Sequence, residues 1–202
     1  LAGYINQFPE DYQRRKNNGL LLLWITPLRA LTNDIQKAMQ SVVDDLGIPW
    51  RIAARTGDTS AAEKQALKRR PPEVLLTTPE SLHLMLAQKD YPKTFENLQL
   101  VVADEWHELL GTKRGVQLEL GLSRLKGLRQ RAGELAQACQ AKGLVSLRIW
   151  GISATIGNLE EAAEVLLGKE FPKAGQKMVR ANIQKKLEIT SIIPENIEKY
   201  SW

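Results

Sequence analysis

LQLVVADEWH, residues 98–107, is the stretch on which the reading of this chain turns. Six apolar or strand-prone residues run on without polar alternation, the pattern of a β-strand covered on both faces, and the run ends abruptly in Asp104 and Glu105. Two carboxylates at the end of a buried strand are costly to place unless something occupies them. LLLLWI, residues 20–25, has the same unbroken apolar character and ends in Thr26-Pro27. Outward from these two runs, short β-prone segments alternate with longer amphipathic ones, which predicts βαβ units and an α/β fold with a mostly parallel sheet flanked by helices. Strands are expected near 20–26, 50–55, 73–77, 98–103 and 147–152, and helices near 28–46, 59–69, 79–87, 115–141 and 158–167. Residues 1–19 read as the end of a helix and a polar loop, 20–171 as the main domain, and 172–202 as further strand and an exit toward another domain.

The 202 residues carry 28 Lys and Arg against 23 Asp and Glu, a net charge of +5 that permits contact with a polyanion without demanding it. One cysteine, Cys139, excludes an intrachain disulfide, and His83 and His107 stand too far apart in sequence for zinc-ligand spacing. The longest apolar run is far too short to span a bilayer, and no export signal opens the chain. These features fit a cytoplasmic setting.

The strand-to-helix junctions carry the chemistry. Thr26-Pro27 and Thr78-Pro79 each follow a strand, with Thr as N-cap and Pro at the first helical position. In a parallel sheet such junctions gather at the carboxyl ends of the strands, where free N–H groups and the positive helix end hold phosphates. Taken singly, each junction is better explained by plain helix capping. Arg29, however, opposes the helix dipole in a first turn, which is better explained by an anion in front of it; a solvated Arg is the alternative. RTGDT, residues 55–59, gives a sharp turn at Gly57, and Asp58 or Thr59 is expected to cap the next helix. At the acid pair, Asp104 can hold Mg²⁺ through water while Glu105 orients and deprotonates an attacking water, with His107 as a relay. A solvated helix start is the competing reading of that turn, and Trp106 is expected to pack. Asn158 and Glu161 form a capping box, so Ser153 and Thr155 are not needed as caps and are expected to hydrogen-bond the acids.

ITPLRAL, RTGDT, TTPESL, DEWH and SAT occur in the order and approximate spacing of helicase superfamily 2, which the chain resembles over residues 20–167. DEWHELLGTKRGVQLELGLSRL and GISATIGNLEEAAEVLLG resemble the large helicase-related family of prokaryotic DNA helicases, with its ligase-associated DNA-repair branch as a candidate. The resemblance implies a RecA-like motor domain that binds ATP and Mg²⁺ against a second RecA-like domain of the same polypeptide, with single-stranded DNA crossing both and repair proteins as candidate partners. It gives Asp104, Glu105 and His107 catalytic roles and makes Ser153 and Thr155 the coupling pair. Thr26, Pro27, Arg29, Thr56, Gly57, Thr78, Pro79 and Glu80 would line the nucleic-acid track, with Lys113 and Arg114 adding charge if their loop is not simply solvated.

One element of the family pattern is missing. No G-x-x-x-x-G-K-[ST] occurs, and Gly168-Lys169 lacks both the preceding glycine loop and the following hydroxyl residue. The reading therefore expects the parent sequence to continue upstream, and a sheet without its phosphate-loop strand that is left with unpaired edges and an apolar gap. A nucleic-acid-binding or scaffolding module without catalysis is the alternative function.

Overall fold

The computed structural model describes residues 1–138, 147–154, 156–168 and 177–180. The chain divides into a unit spanning 1–169 and a second spanning 170–202; the first is described below. Its elements run α1 (Ala2–Gln7), β1 (Leu22–Ile25), α2 (Arg29–Asp45), β2 (Ile52–Arg55), α3 (Ala61–Arg69), β3 (Val74–Thr77), α4 (Pro79–Leu86), α5 (Tyr91–Thr94), β4 (Leu100–Ala103), α6 (Trp106–Leu109), α7 (Lys113–Ala138), β5 (Arg148–Gly151) and α8 (Leu159–Leu167). The five strands form one parallel sheet in the order β2-β3-β1-β4-β5. All five expected strands are present, each shorter than its sequence run. The expected helices are present too, together with single turns at α5 and α6 that periodicity is too coarse to register. The expected end of α7 at 141 and the further strand expected within 172–202, in the run LEITSII at 187–193, lie outside the described residues.

Alternate residues of each strand face opposite sides, and both sides are apolar. Leu23, Ile25, Leu75, Val101, Ala103 and Ile149 join one core with Leu82 and Leu86 of α4, Leu118, Leu122 and Leu125 of α7, and Leu166 of α8. On the other side Ile52, Val74 and Leu76 pack with Val43, Ile48 and Trp50, against which Tyr4 and Met39 lie. Burying each such Leu or Ile contributes about 1.5–3 kcal/mol, so the strands are central because both of their faces are covered.

Two expectations about this frame are corrected. No apolar gap separates the strands: the five are contiguous, because every neighbouring pair is in unbroken four-residue register. The described sheet does have the expected unpaired edge, at β5, where Trp150 is 55% exposed, and a groove of about 600 Å³ bordered by Tyr4, Leu22, Trp50, Leu100 and Trp150. The helix after β1 also starts later than Thr26-Pro27 suggests. Thr26 N–H still donates to Thr77 O across the sheet (3.0 Å), so the chain turns helical only at Arg29, with Leu28 as an N-cap that has no side-chain bond.

Candidate functional site

The strands end in step. Arg55 lies opposite Thr77, Thr77 opposite Ile25, Ile25 opposite Ala103, and Ala103 opposite Gly151. Thr56, Thr78, Thr26, Asp104 and Ile152 are therefore the next residues along one rim, about 19 Å wide at the usual strand spacing. The rim gathers the Thr-Pro turns, the RTGDT turn, the acid pair and Ser153. Thr155 lies outside the described residues.

Asp104 is 8% exposed. Its N–H donates to Ile25 O (2.8 Å), its Oδ1 accepts from the N–H of Glu105 (3.1 Å), and its Oδ2 accepts from the indole N–H of Trp24 (3.1 Å). Glu105 holds a left-handed backbone (φ 48°, ψ 45°), and its Oε2 lies 3.4 Å from His107 Nδ1. Ser153 Oγ accepts from the His107 N–H (3.3 Å) and lies 3.1 Å from His107 Nδ1, while the Ala154 N–H donates to the same ring nitrogen (3.3 Å). A backbone amide aimed at Nδ1 makes that nitrogen an acceptor and puts the ring proton on Nε2, 3.4 Å from Glu108 Oε1. That tautomer leaves the Glu105 carboxylate beside the Nδ1 lone pair. Here the structure corrects an expectation: the Ser153 hydroxyl engages His107, not the acids, because the histidine backbone and ring stand between them. Trp106 packs as expected, 2% exposed, with its indole N–H donating to Ala162 O (3.0 Å) and its backbone N–H to Ile152 O (2.9 Å). These bonds tie the acid turn to α8 and to the end of β5.

Among the described residues no group of three or more His, Cys, Asp or Glu could cage a metal, and no cation pairs with Asp104. A single buried carboxylate with free lone pairs suits Mg²⁺, which keeps most of its waters and takes further ligands from phosphates. Asp104 would hold it through water.

The two Thr-Pro turns differ. Thr78 caps α4, its side chain accepting from Ser81 N–H (3.4 Å), and Pro79 stands in the first helical turn, as expected. Thr26 instead accepts from Leu28 N–H (3.3 Å), and Pro27 precedes the helix, so neither starts it. Thr26 and Thr78 are both buried, 0% and 1% exposed. In the RTGDT turn, Thr56 N–H donates to Thr59 Oγ1 (2.9 Å) and Asp58 N–H to Thr56 Oγ1 (3.3 Å). The Thr59 hydroxyl is thus spent inside the turn and the Asp58 carboxylate on Arg29, and neither caps α3; Ser60 does, in a capping box with Glu63. Arg29 donates to both oxygens of Asp58 (3.3 Å each) and lies against Gly57, where a Cβ would sit 3.2 Å from its guanidinium. The anion before α2 is therefore, in this structure, Asp58. Glu80 is gripped by Arg114 through Nε (2.5 Å) and a terminal nitrogen (3.3 Å). Partial burial pushes the Glu80 carboxyl up, and hydrogen bonds and charge from Arg114 more than reverse this, holding it below the usual carboxylate range. Arg114 is thus a partner of Glu80 at the α4–α7 contact, not a loop charge in solvent.

Trp24 and Asp58 are absent from the sequence-derived set although they touch its members. The signal for Trp24 existed only in part: its place in an apolar strand is legible, but its contact with Asp104 requires knowing that β1 lies beside β4.

A profile described as DEAD/DEAH box helicase matches residues 3–162. The chain is 35% identical over 183 residues to the ATP-dependent helicase Lhr-Core protein 2 of Thermococcus barophilus, covering 84% of this chain and 19% of that protein. It is 32% identical over 206 residues to the ATP-dependent helicase Lhr-Core of Methanocaldococcus jannaschii, covering 96% and 22%. Among solved structures it is similar to the Mycobacterium smegmatis helicase Lhr bound to ssDNA and AMP-PNP, with a TM-score of 0.59 at 31% identity over 83% of this chain and 21% of that one. The chain thus spans about a fifth of the length of these relatives. With a RecA-like parallel sheet, the acid pair at its rim and a family match over most of its length, this chain belongs to the DEAD/DEAH box helicases.

Proposed function

We propose that this domain couples hydrolysis of Mg²⁺-bound ATP to movement along single-stranded DNA, within a longer cytoplasmic helicase that works in DNA repair. One observation carries the reading: a buried, cation-free Asp104 and an adjacent Glu105 share a rim with the Thr56, Thr78 and Thr26 turns. Bound at that rim, the nucleotide and its metal supply the scissile phosphoanhydride and most of the charge neutralisation. Asp104 orients the metal's water, and Glu105 accepts a proton from the attacking water. His107 bridges the Glu105 side of the turn to Ser153, two residues after β5, so a change at the acids is felt at Ser153, which with Thr155 forms the coupling pair. Thr26, Pro27, Arg29, Thr56, Gly57, Thr78, Pro79 and Glu80 form the track, with backbone amides meeting phosphates and Glu80 holding Arg114 at its side. A second RecA-like domain of the same polypeptide closes the nucleotide site, and the DNA-bound Lhr structure supports a single-stranded partner.

A second reading is a nucleic-acid-binding or scaffolding module without catalysis, which a genuine absence of the phosphate-gripping glycine loop from the intact polypeptide would favour. Glu105→Gln in the intact polypeptide separates the two. The motor reading expects AMP-PNP binding to persist while ATP turnover falls about 10²- to 10⁴-fold, the usual worth of a general base. Unchanged turnover removes Glu105 from that role.

A further inference from the structure

Trp24 takes no part in the roles assigned above, yet it is the side chain that hydrogen-bonds the Asp104 carboxylate. Strand register brings them together. Trp24 lies opposite Val102 in the β1–β4 pair, and Asp104, two residues beyond Val102, emerges on the same side of the sheet. The indole is half-buried and packed against the Ile52, Val74 and Leu76 cluster, so its N–H is a donor fixed by packing. Asp104 Oδ1 is held by the Glu105 N–H and Oδ2 by the indole, so the carboxylate cannot rotate without breaking one of the two bonds. Each oxygen keeps a lone pair for a further donor. Satisfying the indole does not by itself explain the contact. Trp50, in the same cluster, leaves its buried indole N–H without a partner, and Trp106 meets its need with a backbone carbonyl.

We propose that Trp24 is a positioning residue, whose indole N–H holds the Asp104 carboxylate in the orientation that meets a water on the nucleotide's Mg²⁺. The assignment rests on the role given to Asp104 above. Outer contacts that orient a metal-organising acid affect metal use more than fold.

The test uses the intact polypeptide and two binding measurements: the Mg²⁺ concentration that half-saturates AMP-PNP binding, and the AMP-PNP affinity at saturating Mg²⁺. Trp24→Phe keeps the ring and removes the donor. It is expected to raise the half-saturating Mg²⁺ about tenfold while leaving the affinity at saturating Mg²⁺ unchanged; a general loosening of the sheet would lower both. In an Asp104→Asn background the same change is expected to add nothing. An unmoved half-saturation point in Trp24→Phe overturns the proposal, as does an equal added loss on top of Asp104→Asn. If Asp104→Asn alone leaves the Mg²⁺ requirement unchanged, the role of Asp104 falls, and that of Trp24 with it. Should Trp24→Phe fail to fold, Trp24→Leu carries the same expectations.

Discussion

Glu105 stands in a left-handed conformation that costs a non-glycine residue about 1–2 kcal/mol, between a buried acid and a histidine tied to the next strand. The left-handed residue turns the chain between the end of the buried strand at Asp104 and the packed Trp106, which bonds Ile152 O and Ala162 O. The acid pair itself was legible in the sequence because a carboxylate ending a buried strand violates the apolar pattern, whereas the backbone strain leaves no such mark. Arg29 shows a related limit. Its position in a first helical turn announces an anion, but Asp58 is itself an anion and satisfies the signal from within. The Arg29 and Asp58 side chains are 56% and 76% exposed, so their pairing is worth less than about 1 kcal/mol and a nucleic-acid phosphate can displace it. Arg29→Ala is therefore expected to lower the slope of log K against log salt for single-strand binding by about 0.7, one phosphate contact. Asp58→Asn is expected to tighten binding at low salt only while Arg29 is present. Anisotropy titrations of a labelled single strand across salt read both effects, and an unaltered slope confines Arg29 to its contact with Asp58.

Identical local sequence produced different elements at the two Thr-Pro junctions. Thr78 leaves the sheet at once and caps α4, whereas Thr26 still donates its N–H to Thr77 O across the β1–β3 pair and turns its hydroxyl to the Leu28 N–H. Tertiary neighbours thus overrode a capping signal that was read correctly at one site and wrongly at the other. The start of α7 was missed by two residues for a similar reason: Thr112 Oγ1 accepts from the Gly115 N–H (3.1 Å), so the helix opens at Lys113. Gly115 is not a helix-weakening accident there. A Cβ at this position would lie 2.1 Å from the Leu109 carbonyl oxygen, a backbone atom that cannot step aside, while a Cβ at Gly127 in the same helix would meet nothing within 4 Å. The two glycines should respond with opposite sign. Gly115→Ala is expected to destabilise by about 1–3 kcal/mol through overpacking, and Gly127→Ala to stabilise by about 0.5–1 kcal/mol through helix propensity. Urea unfolding of the two variants checks this, and a neutral Gly115→Ala would mean that the α6–α7 turn yields more easily than its geometry suggests.

For the molecule as a whole, the number and type of strands and their parallel sense followed from apolar runs alternating with amphipathic ones. Their order in the sheet did not, because β1 and β4 are separated by two strands in sequence and become neighbours only through long-range pairing. That order is what sets Asp104 between the end of β1 and the end of β5, and hence within reach of both Trp24 and, through His107, Ser153. The rim so formed holds acids that can organise a metal and activate water, but gripping the β- and γ-phosphates takes a loop of backbone amides with a lysine, which these 202 residues do not contain. Arg114 does not substitute for it, since it already faces Glu80, and Arg29, whose exposed pairing with Asp58 a phosphate can displace, brings no loop of backbone amides. Positioning of the phosphates accounts for most of the catalysis in this chemistry, so an acid pair without a phosphate grip should leave the scissile bond unheld. The 202-residue chain alone is accordingly expected to bind ATP weakly and to show no turnover above background, with or without single-stranded DNA, in a phosphate-release assay. Robust DNA-stimulated release from this chain would mean that the rim holds the phosphates by some other set of groups, and the division of labour between acids and loop would have to be redrawn.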